Sequence, residues 1–356
     1  MKPTDSILNA DRINYLNIGL MAVSCAVAFF VPFELFLFSY AILGPAHYLT
    51  EISWLHERKY FSKGKYDYIF LFLAGFLLFF VLYIDRIFPG VNIFRNETRT
   101  DVSTGLVYVA FVAALAMVVL KNPFYRFIAF IIIIASAFVS KNAVVFFSVF
   151  LPTLIHVYLF TGLFMLYGAL KGRSKSGYLA CFLFLLCPLL FVFITPESFM
   201  LSEYAHRTYE NFQVVNFYSL NLWNSETFQY PPTDQNAYSS LIAATYSSIP
   251  GLIIMRFIAF AYTYHYLNWF SKTSIIKWHN VPKKRLAIIT VLWIGAVAFY
   301  LYDYNLGFNI LFLLSFLHVF LEFPLNHLTF IGIFQEIKSI TGGNKPAAIT
   351  TKSKKR

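Results

Sequence analysis

Eight histidines, His47, His56, His156, His206, His265, His279, His318 and His327, are the residues best equipped for chemistry in this chain. Four of them, His47, His156, His265 and His318, fall inside long apolar blocks, 13 to 16 residues from the end of the block that the topology below places outside the cell. At about 1.5 Å per helical residue these offsets differ by only about 5 Å in depth, so the four imidazoles are predicted to share one layer. Ionisable groups at such depth are costly and are kept facing a bundle interior, paired or bound. Neutral imidazole is also a common ligand for iron, copper and zinc. The layer therefore predicts a metal held by converging histidines, with a proton relay and plain structural hydrogen bonding as alternatives.

Two of these histidines share a longer pattern. His47-x3-Glu51-x4-His56 and His318-x3-Glu322-x4-His327 have the same spacing. Four residues advance about 400° round a helix, which sets Glu51 and Glu322 one turn from their histidines on the same face. These carboxylates are the candidate catalytic groups, either as metal ligands or as acceptors for an imidazole N–H. Nine residues advance about 900°, so His56 and His327 are expected on the opposite face at the cytoplasmic boundary. His206 and His279 are expected to be solvated, in an external and a cytoplasmic loop respectively. Trp269 with Tyr262, Tyr264 and Tyr266 suits an aromatic interfacial belt or the wall of a lipid-substrate tunnel. Arg256 is read as snorkelling outward or neutralising a carboxylate, and the sequence does not choose.

The elements that must hold these residues are transmembrane helices. The 356 residues are 58% apolar, 20% aromatic and only 13% charged, with 42 Phe and 24 Tyr, which leaves too little polar surface for a soluble domain. Apolar blocks at about 13–31, 33–55, 66–87, 103–120, 123–140, 143–170, 177–195, 249–270, 285–302 and 305–333 predict an all-α polytopic bundle of about ten crossings. Residues 1–341 form this domain, with an extracytoplasmic loop at about 196–247, and 342–356 form a basic, disordered cytoplasmic tail. The opening residues, with Asp5 and Asp11, lack a signal-peptide pattern, so the first helix is expected to stay. With both termini cytoplasmic, 22 of the 28 lysines and arginines lie inside, while Arg86, Arg95, Arg99, Lys141 and Arg207 lie outside. The positive-inside rule thus explains the net charge of +11 without a nucleic-acid partner and points to an integral protein of a bacterial cytoplasmic membrane. Cys25, Cys181 and Cys187 sit in apolar blocks and offer neither a disulfide framework nor a CxxC site. No GxSxG elbow, P-loop or dinucleotide fingerprint is present, and the dense HxxxH and HxxHH boxes of membrane desaturases are missing.

The order of the histidine segments resembles the Brp/Blh family of membrane-embedded beta-carotene dioxygenases. Gly44-Pro45-Ala46-His47-Tyr48-Leu49-Thr50-Glu51 is similar to that family's early Gly-x-x-His-x-x-x-Asp helix, with Glu for Asp. Leu154-Ile155-His156 resembles its second histidine segment, and His318 to Glu322 its late helix. Tyr264-His265-Tyr266-Leu267-Asn268-Trp269 matches the first His of its third box and places Trp269 at the second. The resemblance implies a non-haem iron oxygenase, with haem or zinc as less favoured cofactors. Its partners would be the lipid bilayer, dioxygen and a lipophilic substrate, such as a carotenoid to be cleaved. A proton-coupled transporter using the same His and Glu residues, or a bis-His haem protein, would also use this layer.

Overall fold

The computed structural model describes residues 3–87, 96–137, 146–194, 199–223, 234–272 and 281–342. His279 and the basic tail beyond Gly342 lie outside these residues, as does Lys141. The described residues form helices and no strand. In chain order they are α1 (Pro3–Phe30), α2 (Pro32–Phe38), a π-helical turn (Ser39–Leu43), α3 (Gly44–Glu57), α4 (Asp67–Ile87), α5 (Asn96–Val119) and α6 (Pro123–Ala137). A long π-helix (Phe146–Phe160), α7 (Thr161–Gly172), α8 (Lys175–Phe193), α9 (Glu203–Tyr209), α10 (Gln213–Trp223), α11 (Gln235–Ser247), α12 (Ile249–Ser271), α13 (Lys283–Tyr302) and α14 (Tyr304–Thr341) follow.

Where their residues are described, the ten apolar blocks are helices or runs of consecutive helical segments, but they are not ten equivalent spans. Among the described residues seven helices are long and apolar enough to cross a bilayer, and an eighth span arises if α11 and α12, bent by 66°, are counted together. The block expected at 33–55 is broken into α2, the π-turn and α3, and α6 is a shorter apolar helix. Large apolar side chains on α13 and α6, among them Val291, Leu292, Ile131 and Ile132, are exposed, as lipid-facing surfaces require.

Local chemistry sets the helix ends. Asp303 and Ser248 accept from the backbone N–H of Leu306 (2.7 Å) and Gly251 (3.0 Å), starting the two long histidine-bearing helices α14 and α12. At the α11–α12 bend a Cβ on Gly251 would lie 2.0 Å from the Ala244 carbonyl oxygen, so only glycine permits the approach. Arg126 donates to Asp67 (2.7 Å) and to the Leu120 carbonyl (3.0 Å), locking the start of α4 onto the α5–α6 turn. The expected extracytoplasmic loop is largely helical. Tyr209, Phe217, Leu220 and Leu241 of α9–α11 are buried in the same apolar cluster as α1, α2, α8 and α12. A second cluster joins α3, α4, α5 and α14. The π-helix and α14 contribute to both, and the four histidines lie on α3, the π-helix, α12 and α14, the elements that these clusters share or bring together.

Candidate metal centre

Three of the four histidine-bearing helices carry a proline near the site. Pro45 sits in the first turn of α3, two residues before His47, directly after the π-turn. Pro152, one turn before His156, lacks an amide N–H, and the wider i→i+5 turns of the π-helix accommodate it. Pro324 follows Glu322 within α14.

All four imidazoles are buried, and one ring nitrogen from each lies within 4.8 Å of the others. His265 Nε2 is 3.0 Å from His47 Nε2, and His156 Nε2 is 3.1 Å from His318 Nε2. Two nitrogens each about 2.0–2.1 Å from a shared ion lie about 3.0 Å apart at a right angle, so both pairs have the spacing of adjacent ligands. The predicted layer is therefore a single cluster that could hold a metal ion.

The two carboxylates differ from one another, although their sequence spacing is the same. Glu51 Oε2 lies 2.9 Å from His47 Nε2, the nitrogen that faces His265. Glu322 Oε2 approaches not its own His318 but His156, at Nδ1 (3.2 Å), the side of the ring remote from His318. Both oxygens are buried and neither has an aligned hydrogen bond. Among buried groups that is uncommon and calls for a further partner.

Several positioning groups were not marked by the sequence. Thr161 Oγ1 lies 2.8 Å from His265 Nδ1 and is itself buried. It follows His156 by five residues and directly abuts the π-helix, so a search at the 3.6-residue α-helical period passes over it. Tyr48 stacks on His318, with ring centroids 5.0 Å apart. Trp269 lies edge-on to His47 (5.5 Å), and its indole N–H donates to Thr50 Oγ1 (3.0 Å). It is thus part of the wall round the cluster. On the far side of the carboxylates, Asn326 is buried with both amide atoms unpartnered, and Asn268 Oδ1 is likewise unpartnered.

The other histidines divide. His56 is exposed, as expected. His327 is not interfacial: it is buried, and its Nε2 bonds the Phe111 carbonyl (2.8 Å), because α5 packs over that face of α14. His206 is only half-solvated, stacked on Tyr246 with centroids 4.3 Å apart. Arg256 neither snorkels nor meets a carboxylate among the described residues; it is buried against the Phe29 ring with Nε and Nη2 unpartnered. Of the tyrosines, Tyr262 and Tyr266 line a cavity, whereas Tyr264 turns away to donate to Asn17 (3.3 Å).

That cavity, of about 300 Å3, has His156, His265 and His318 in its wall, while His47 is not among its lining residues. The rest of the wall is aromatic and aliphatic, with a few hydroxyls. Comparison with known proteins gives no matching family model, no matching curated protein and no matching solved structure.

Proposed function

We propose that this chain is a membrane-embedded, non-haem iron oxygenase acting on a lipophilic substrate, with ten crossings and both termini in the cytoplasm. The observation that carries the reading is the buried convergence of four imidazole nitrogens within 4.8 Å, with an unpartnered carboxylate oxygen, Glu51 Oε2, against one of them. A cation held by the four imidazoles would sit close to Glu51 through its contact with His47, and burying the carboxylate without one leaves it uncompensated. His47, His156, His265 and His318 would hold the metal, Glu51 would add charge at its edge, and Glu322 would fix the His156 ring from behind. Iron so held supplies dioxygen activation, chemistry that side chains alone lack. The aromatic cavity beside three of the histidines excludes water and orients an apolar substrate; the sequence resemblance suggests a carotenoid as one such molecule.

The transporter reading draws on one observation. Asn326, Asn268 and Glu322 leave buried unpartnered polar atoms and are not among the lining residues of the cavity, and water bridging such atoms could carry protons. The bis-His haem reading fits less well. It would use two of the four imidazoles as axial ligands and leave the other two, whose nitrogens lie within 4.8 Å of them, without a role.

Elemental analysis of the purified protein with its optical spectrum tests the proposal. Iron without a Soret band is the expected result. A Soret band would move the assignment to haem, zinc alone would remove the oxygenase chemistry, and absence of any metal would leave the proton-transport reading.

A further inference from the structure

The cavity shows what kind of molecule reaches the cluster, and from where. Its inner wall is buried: Tyr40, Pro152, Tyr262 and Tyr266 surround the approach to His156 and His265. Its opposite wall is only half-buried, at Leu82 on α4, Ser148 on the π-helix, Val214 on α10, and Phe312 and Phe316 on α14. Leu82 lies near the end of α4, Ser148 near the start of the π-helix, and Phe312 two turns into α14. In the topology proposed above, these are all extracytoplasmic ends. Phe212 roofs the space, with ring centroids 4.9 Å from Phe36 and 5.0 Å from Phe308. In that topology the half-buried residues of α4, the π-helix and α14 lie toward the outer leaflet.

Among the described residues, no Asp, Glu, Lys or Arg lines the cavity. A charged end group carried inward would leave water for an aromatic and aliphatic wall with hydroxyls and imidazoles, and no charged side chain among the described residues pairs with it there. Size sets a second limit. A cavity of about 150 Å3 holds a benzene molecule, six carbons, so about 300 Å3 holds roughly twelve. A longer chain must leave its remainder in the bilayer.

From these observations, and resting on the metal and topology readings above, we propose that the cavity takes a single uncharged hydrocarbon chain, inserted end-first for about twelve carbons. It enters laterally from the outer leaflet between α4, the π-helix and α14. Any polar headgroup stays at the outer membrane surface, and the segment presented to the histidines is the chain's far end. Phe312 and Phe316 are the entry residues, and Ser315 on α14 and Thr153 on the π-helix are lining positions where a larger side chain would close the space.

Photolabelling of the full-length protein in phosphatidylcholine nanodiscs tests this without relying on turnover. The probe is hexadecanol with a diazirine at its terminal carbon. Hexadecanedioate with the diazirine beside one carboxylate is the comparison, because either end that it inserts is charged. The alcohol should label α14 between Phe312 and Val319 or the π-helix between Ser148 and Val157, at least tenfold more than the dioate. Ser315→Trp should abolish that labelling, and Thr153→Met provides the same block from the π-helix should Ser315→Trp fail to fold. His47→Ala, which removes a proposed metal ligand outside the cavity wall, should keep the labelling while losing metal. Failure of the metal assignment and failure of the chain assignment thus give different results. Equal labelling by the dioate, labelling confined to lipid-facing α6 or α13, or labelling insensitive to both blocking variants would overturn the proposal.

Discussion

Replacing Glu51 and Glu322 with glutamine in turn should give unequal losses of metal, despite their shared place in an H-x3-E pattern. Glu51 Oε2 stands 2.9 Å from His47 Nε2, which itself faces His265 Nε2 at 3.0 Å, so its charge acts where an ion would sit. Removing one partner of a buried charged contact costs on the order of 3–5 kcal/mol. At about 1.4 kcal/mol per tenfold this is a loss of more than a hundredfold in affinity for Glu51→Gln. Glu322 Oε2 touches His156 at Nδ1, 3.2 Å away, and acts only through the ring. Loss of such an outer partner typically weakens metal binding by about 10 to 100-fold, or about 1.4–2.8 kcal/mol. Competition for iron against a chelator of known affinity, in detergent, reads both values, and thermal unfolding of the metal-free variants checks that the fold persists. Equal losses, or a larger loss for Glu322→Gln, would refute the assignment of different roles to the two carboxylates.

Other predictions follow from single contacts. Thr161→Val removes the hydroxyl 2.8 Å from His265 Nδ1 and should weaken iron binding about tenfold in the same competition assay, with stability changed by only about 1 kcal/mol in thermal unfolding. Gly251→Ala drives a methyl group onto the Ala244 carbonyl and should destabilise the protein by about 1–3 kcal/mol, read as a lowered unfolding temperature. In the proposed topology a cysteine at Ser202 should react with a membrane-impermeant maleimide in intact cells, and one at Ser353 only after permeabilisation. Labelling of both from the same side would contradict that topology.

The cluster was legible in the sequence because membrane helices turn position into depth. Four histidines at matching offsets in blocks read as running the same way were expected to share a layer, and the structure brings them within 4.8 Å. What each histidine touches was not legible. Glu322 reaches His156 instead of His318 because α14 meets the π-helix there, and partner choice across helices leaves no trace in a one-helix periodicity. Thr161 escaped notice because the chain beside it follows π-helical turns, whose period the α-helical wheel misplaces. His327 was misplaced for a related reason: the wheel gave its face correctly as opposite the cluster, yet α5 covers that face and supplies the Phe111 carbonyl. Helices overrun several blocks, α1 beginning at Pro3, α5 at Asn96 and α14 ending at Thr341, because polar turns continue the helices past their apolar stretches, and the breaks at Ser39–Leu43 and between α11 and α12 lie beside proline and glycine positions that hydropathy does not register.

X-ray absorption at the metal edge of the purified full-length protein is the most direct test of the central claim. The account predicts iron with four imidazole nitrogens at about 2.0–2.2 Å, with an added oxygen neighbour that is lost in Glu51→Gln. A shell of two or fewer imidazoles, a porphyrin signature, or an iron environment unchanged by His47→Ala would contradict it.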